Sequence, residues 1–129
     1  MKLRDLELGA IQAHILYHAT QHPIYGSWMA EELARHGLVV SFGTLYPMFH
    51  RMHQAGLLDC SEQREGSQMR KYYVATPQGE QELQHARHLI RELYREVVEE
   101  AELGSSVTDS SSQEESVLSP RQGDKSSQA

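Results

Sequence analysis

Residues 41–71, SFGTLYPMFHRMHQAGLLDCSEQREGSQMRK, leave few folds open to this chain. Leu45, Met48, Phe49 and Met52 recur at i, i+3, i+4 and i+7, which is one face of an α-helix. Tyr46, Pro47, His50, Arg51 and Gln54 fall on the opposite face. Ser41 and Thr44 both suit a helix start, having short oxygens that accept from first-turn N–H groups. Gly56 suits the stop, because a helix often ends on a left-handed residue. Leu57 and Leu58 return to a core, residues 62–68 read as a charged loop containing Arg64 and Gly66, and residues 70–74 read as a returning strand. A polar-faced helix followed by a charged β-hairpin is the pattern of a winged helix, a module that lays this helix in a DNA groove.

The flanks fit that frame. Leu8, Ile11, Ile15, Leu16 and Ala19 predict a first helix over residues 6–21, and His22-Pro23 stops it, since the residue before proline leaves the α region. Gly26-Ser27 opens a second helix with Met29, Ala30, Leu33 and Ala34 inward and Gly37 past its end. Leu38 to Val40 bridge to the reading helix. Pro47 leaves its start open. With Ser41 as cap the proline lies inside the helix at a cost of roughly 3 kcal/mol; with Thr44 as cap it lies harmlessly in the first turn. Thr76-Pro77 begins the last helix, a Thr cap followed by Pro at the first helical position. Along it Leu83, Ala86, Ile90, Leu93 and Val97 alternate by three and four, a heptad-like seam. From Pro77 to Leu103 such a helix is about 40 Å long, more than a small domain covers, so the seam predicts a partner subunit. Gly104 is taken as its end, and residues 104–129, rich in Ser, Gln and charge, as disordered.

The fold class predicted is mainly α with a small β-hairpin wing (α+β): a winged helix-turn-helix DNA-binding domain over residues 1–76, a dimerisation helix over 77–103 and a tail over 104–129. Charge argues only mildly for nucleic acid. The net charge is −6, yet between residues 35 and 71 five Lys and Arg outnumber three acids, with His36, His50 and His53 added. Phosphate binding follows local potential rather than net charge. The single cysteine, Cys60, excludes an intramolecular disulfide and a Cys-rich zinc site. No apolar run reaches the roughly 18 residues of a membrane span, and the N-terminus has no signal-peptide core; a cytoplasmic protein with no membrane partner is expected.

Several segments resemble the PadR-type transcriptional regulators: Pro23-Ile24-Tyr25-Gly26, Ser41 with Gly43-Thr44-Leu45-Tyr46-Pro47, Arg51-Met52, Ala55-Gly56-Leu57-Leu58, Arg70-Lys71-Tyr72-Tyr73, and Thr76 with Gly79. The resemblance runs from about Leu8 to Leu93 and is most specific in the combination of GTLYP, AGLL and RKYY. It implies a dimer of winged helices, the small subgroup with one short C-terminal helix, and repression by promoter occupancy relieved by a small-molecule effector. His53 stands where the family usually has Glu, and Ser27-Trp28-Met29 replaces a Glu-Ile step.

On this reading double-stranded DNA is the partner. Tyr46 bonds a phosphate, His50 and Gln54 reach base edges, and Gly43, beside Ser41, Thr44 and Pro47, lets helix-start amides approach a phosphate. Arg64 and the Arg70-Lys71 pair hold the flanking backbone. Leu83, Ala86, Ile90, Leu93 and Val97 make the homodimer. Among eight histidines, His14 and His18 are four apart on one helix, as two metal ligands can be. With no cysteine or carboxylate pair to complete a site, they are read as solvated, and no cofactor is expected. Trp28 is read as core and Cys60 as an inert thiol. No arrangement of nucleophile, base and acid suggests an enzyme. Two alternatives stand beside the regulator: a metal- or haem-responsive sensor on the same scaffold using His14 and His18, and a winged helix used for protein–protein contact.

Overall fold

The computed structural model describes residues 2–106. In order they form α1 (Leu3–Gln21), α2 (Gly26–Arg35), α3 (Phe42–Gln54), β1 (Leu58–Glu65), β2 (Gln68–Ala75), α4 (Pro77–Tyr94), a π-helical stretch (Arg95–Glu100) and α5 (Ala101–Ser106). Two compact units result: one ends at Arg87 and the other begins at His88.

The first unit is built on the apolar stripes read from the sequence. Ile11, Ile15, Leu16 and Ala19 of α1 meet Met29 and Leu33 of α2 and Leu45, Met48, Phe49 and Met52 of α3 in one core, closed by Leu58, Tyr73 and Leu83. Phe49 is fully buried, and its ring stacks on Tyr73 at 4.6 Å and 4°, which ties the third helix to the hairpin. Ile24 adds a short third rung: its N–H and C=O exchange hydrogen bonds with Tyr73 at 2.9 and 2.8 Å. The turn between α1 and α2 is thereby fastened to β2.

Local chemistry sets the helix ends. α3 closes with the paired bonds of a Schellman motif, Gly56 N–H to the His53 carbonyl at 3.0 Å and Leu57 N–H to the Met52 carbonyl at 3.0 Å. Gly56 takes φ +81°, a conformation an L side chain resists. The end of α2 repeats the same two bonds at Gly37 and Leu38. Thr76 then performs two tasks. Its Oγ1 accepts the Gly79 N–H at 2.9 Å, capping α4, and donates to the Gly56 carbonyl at 2.6 Å, satisfying a free carbonyl at the end of α3.

Four expectations change. The loop over residues 62–68 is strand instead: pairing continues through Glu62–Lys71 and Arg64–Met69 to Glu65–Gln68, so only Gly66-Ser67 turn. The ladder bonds are made by backbone, so charged side chains on both strands do not interrupt it. Ser41, not Thr44, is the cap residue of α3, extended at φ −79°, ψ 158°, with its carbonyl accepting from Thr44 and Leu45. Pro47 therefore sits inside the helix and offers no N–H to the Gly43 carbonyl. That carbonyl belongs to an exposed residue where water can replace the lost donor. Leu83, read as dimer seam, is core, 5% exposed. Finally, helix continues past Gly104 to Ser106, since a glycine costs only about 1 kcal/mol in a helix. The expectation for the rest of the tail, residues 107–129, lies outside the described residues.

Candidate nucleic-acid interface

The outward face of α3 carries Phe42, Gly43, Tyr46, Pro47, His50 and Gln54, all exposed, with Thr44 half-buried beside the exposed Ser41. It faces away from the core because Leu45, Met48, Phe49 and Met52 hold the other side. Ser41 Oγ does not cap the helix; it lies 3.3 Å from Thr44 Oγ1. Nothing but that Oγ comes within 4 Å of where a Cβ on Gly43 would lie. The first amides of α3 are thus left without a side-chain acceptor, as an anion at a helix start requires.

Tyr46 is positioned from two sides. Its ring stacks on Phe42 at 5.4 Å and lies so close to the backbone of Gly26 that a Cβ there would sit 2.5 Å from the Tyr46 hydroxyl. The hydroxyl is thereby held at the start of α2, whose N-cap residue Tyr25 provides no side-chain acceptor either. Around this point an open cleft of about 380 Å³ is lined by Gly26, Ser27, Tyr46, Arg70 and Lys71 among others. One phenol, two cations and a helix start are all groups that can donate to an anionic oxygen.

The wing cations are not a matched pair. Successive strand residues point to opposite faces, so Lys71 and Arg64 share the face of Tyr73, whereas Arg70 shares that of Tyr72. Arg70 lies 4.1 Å above the Tyr25 ring, whose edge contacts Tyr72 at 5.4 Å, and a hydrogen bond to Tyr72 raises its already high pKa. Arg70 is a fixed cation with a bracing role; Lys71 and Arg64 are exposed and free to reach outward. Burial pushes the Tyr73 hydroxyl up to about 12, with Cys60 opposite it adding to the shift. Tyr73 is therefore neutral core, and Cys60 a half-buried neighbour of it.

Residues 15–85 match the PadR-like family of transcriptional regulators. This chain belongs to that family. A transcriptional regulator of Mycobacterium tuberculosis (Rv3488) is 41% identical over 96 residues, 74% of this chain and 90% of the relative. The crystal structure of a PadR family regulator from Eggerthella lenta superposes with a TM-score of 0.69 at 30% identity, covering 78% of this chain and 88% of that one. A PadR-like regulator from Bacillus cereus gives 0.65 at 27%, covering 72% and 92%. The winged helix and its hairpin are those of PadR structures. The chain is a PadR-like transcriptional regulator and not an enzyme, and the family implies DNA as its partner. Among the described residues no helix is long and apolar enough to cross a membrane.

The histidines of this PadR-like chain depart from the solvated reading. His14 and His18 are half-buried and face α2, where the His14 ring lies 4.9 Å from that of His36, and Glu32 reaches His18 at 3.5 Å and His36 at 3.2 Å. Trp28 is half-buried rather than fully core, with its ring edge-on to His18 and His22 at 5.3 and 4.9 Å. His85 and His88 are exposed. No group of three or more His, Cys, Asp or Glu among the described residues is arranged to hold a metal ion.

Burial, then the neighbouring histidines, lowers the pKa of His14; burial also lowers that of His18, against the pull of Glu32. Desolvation raises Glu32, but the His36 hydrogen bond, Arg35 and the histidines outweigh it and lower its pKa. All three shifts have one sign. The native state binds fewer protons than the unfolded chain, so stability is full above about pH 6.5 and falls first as the histidines charge, then again below about pH 4.5 as Glu32 protonates. The thermal midpoint should be lower at pH 5.5 than at pH 7.5, and changing His14 and His18 together to Asn should flatten that slope. A wild-type midpoint that does not move between these values refutes the assignment.

Proposed function

We propose that this PadR-like regulator is a cytoplasmic repressor that binds a palindromic operator as a homodimer and is released by a small-molecule effector. The observation that supports it best is the outward face of α3 beside the cleft at the start of α2. Tyr46, His50 and Gln54 project from the helix, Ser41, Gly43, Thr44 and Pro47 form its open first turns, and Arg64, Arg70 and Lys71 flank it on the wing. His50 and Gln54 read base edges, while Tyr46, Arg64 and Lys71 hold phosphates and Arg70 braces the wing. Ala86, Ile90 and Leu93 supply the seam to a second copy, and Val97 lies where that seam runs out into the π-helical stretch. Ile90, Leu93 and Val97 are 50%, 47% and 60% exposed in the single chain, as are neighbouring Leu89 and Tyr94 at 67% and 52%. A two-fold protein calls for two half-sites about one or two helical turns apart.

Base-reading and phosphate-holding residues should fail differently. Lys71→Ala should weaken every duplex alike and lower the salt slope by about one unit per subunit. His50→Ala or Gln54→Ala should cost about 1–3 kcal/mol per lost base contact on the selected site and almost nothing on a scrambled duplex. Salt titrations on both duplexes decide it. Equal losses on both by the Lys71 and His50 variants would defeat this division of roles, and a wild-type protein without any preferred duplex would put protein–protein contact ahead of DNA.

A further inference from the structure

Phe42, the first residue of α3, is apolar, aromatic and 48% exposed. Its spacing of seven from Phe49 puts it in phase with the buried stripe, yet at the very start of the helix it stands outside the core cluster. Its ring continues an aromatic chain that runs from the core to the surface: Tyr73 on Phe49 at 4.6 Å, Phe49 to Tyr46 at 6.5 Å, Tyr46 to Phe42 at 5.4 Å with 22° between planes. The Cε1, Cζ and hydroxyl of Tyr46 lie against Gly26. The outermost ring is thus held in place before any partner arrives, and it presents a face that can neither donate nor accept a hydrogen bond.

The location decides what such a face can do. In a helix-turn-helix protein the first residues of the reading helix are those that meet base edges. Among the groups that base pairs display in the major groove, the apolar one is the C5-methyl of thymine, and phenylalanine is one of the side chains that pack on it. We propose that Phe42 reads a thymine C5-methyl in each half-site. The inference rests on the DNA-binding reading above and extends it: Tyr46 serves Phe42 as a backing plate as well as offering its hydroxyl to a phosphate.

The experiment uses the full chain and a duplex selected from random sequence. Each thymine is replaced by deoxyuridine, symmetrically in both half-sites, which removes the methyl and leaves the pairing intact. Affinities are measured by fluorescence anisotropy at one salt concentration. At one thymine the replacement should weaken wild-type binding about fourfold per half-site, the value of one buried methyl-sized group. Phe42→Ala should bind the thymine duplex more weakly than wild type and ignore the replacement. Phe42→Leu, which keeps an apolar surface and guards against a misfolded alanine variant, should retain part of the sensitivity.

The proposal is overturned if the wild type ignores deoxyuridine at every position. It is also overturned if Phe42→Ala loses the same factor on both duplexes, the result for a ring wedged between base pairs. If no duplex is selected at all, the DNA reading fails first and this proposal with it. That outcome differs from selective binding that is indifferent to the methyl.

Discussion

Gly79→Ala should lower the thermal midpoint by roughly 12–24 °C. Gly79 is buried in the first turn of α4, and a Cβ there would run into the carbonyl oxygen of Leu57, with the carbonyl carbon only 3.1 Å away. That oxygen already accepts the Thr76 N–H at 3.1 Å. Neither partner is a side chain that can swing aside, so the start of α4 must move away from the chain leaving α3. Overpacking of this kind costs about 3 kcal/mol, and for a domain of this size each kcal/mol is about 4–8 °C. Gly9→Ala is the control: nothing lies within 4 Å of its Cβ position, the site is helical, and the change should stabilise by about 0.4–1 kcal/mol. Thermal melts followed by circular dichroism compare the two. A Gly79→Ala protein that melts with the wild type refutes the close approach.

Leu93→Asp should convert the protein to a monomer and weaken operator binding about 10²–10⁴-fold. The first number to check is mass, by light scattering after size exclusion. Leu93 is 47% exposed in the single chain and contributes nothing to the core, so the carboxylate costs little while the chain is alone. Against a second copy it becomes a buried charge without a counter-charge, which the pairing cannot tolerate. On the proposed dimer, two half-site contacts act as one, and separating the copies would remove that avidity. A fully dimeric Leu93→Asp protein places the seam elsewhere.

What the sequence made legible was chemistry confined to a few neighbouring residues. Thr76-Pro77 announced a capped helix start, Gly37 and Gly56 announced two helix stops, and Leu45, Met48, Phe49 and Met52 announced the buried side of the reading helix. Where two causes leave one pattern, the reading went astray. Leu83 repeats in phase with Ile90 and Leu93, and periodicity cannot say whether a stripe faces its own core or a second chain. Glu62 and Arg64 look like loop because they are charged, although the ladder they join is made by backbone. The partners of His14 and His18 lie on another helix, at Glu32 and His36, and no local rule reaches them. Phe42 was passed over because apolar residues are assumed to be inside. Its spacing of three from Leu45 and seven from Phe49 puts it in phase with the buried stripe, so periodicity carries no signal that it is exposed. Gly26, read only as a helix start, also supports Tyr46, a contact visible only once α2 and α3 are packed.

The π-helical stretch Arg95–Glu100 limits how far two such helices can stay in step. Knobs fit holes only while the contacting residues return to the same side at a near-constant interval, and i→i+5 bonding winds the backbone more loosely than the i→i+4 turns before it. Side chains beyond Tyr94 therefore come round late, and the azimuth that a heptad count assigns to Val97 is no longer the azimuth of Ile90 and Leu93. A zipper extended along this helix would lose its alignment after Tyr94, which favours a short clasp over a long rod.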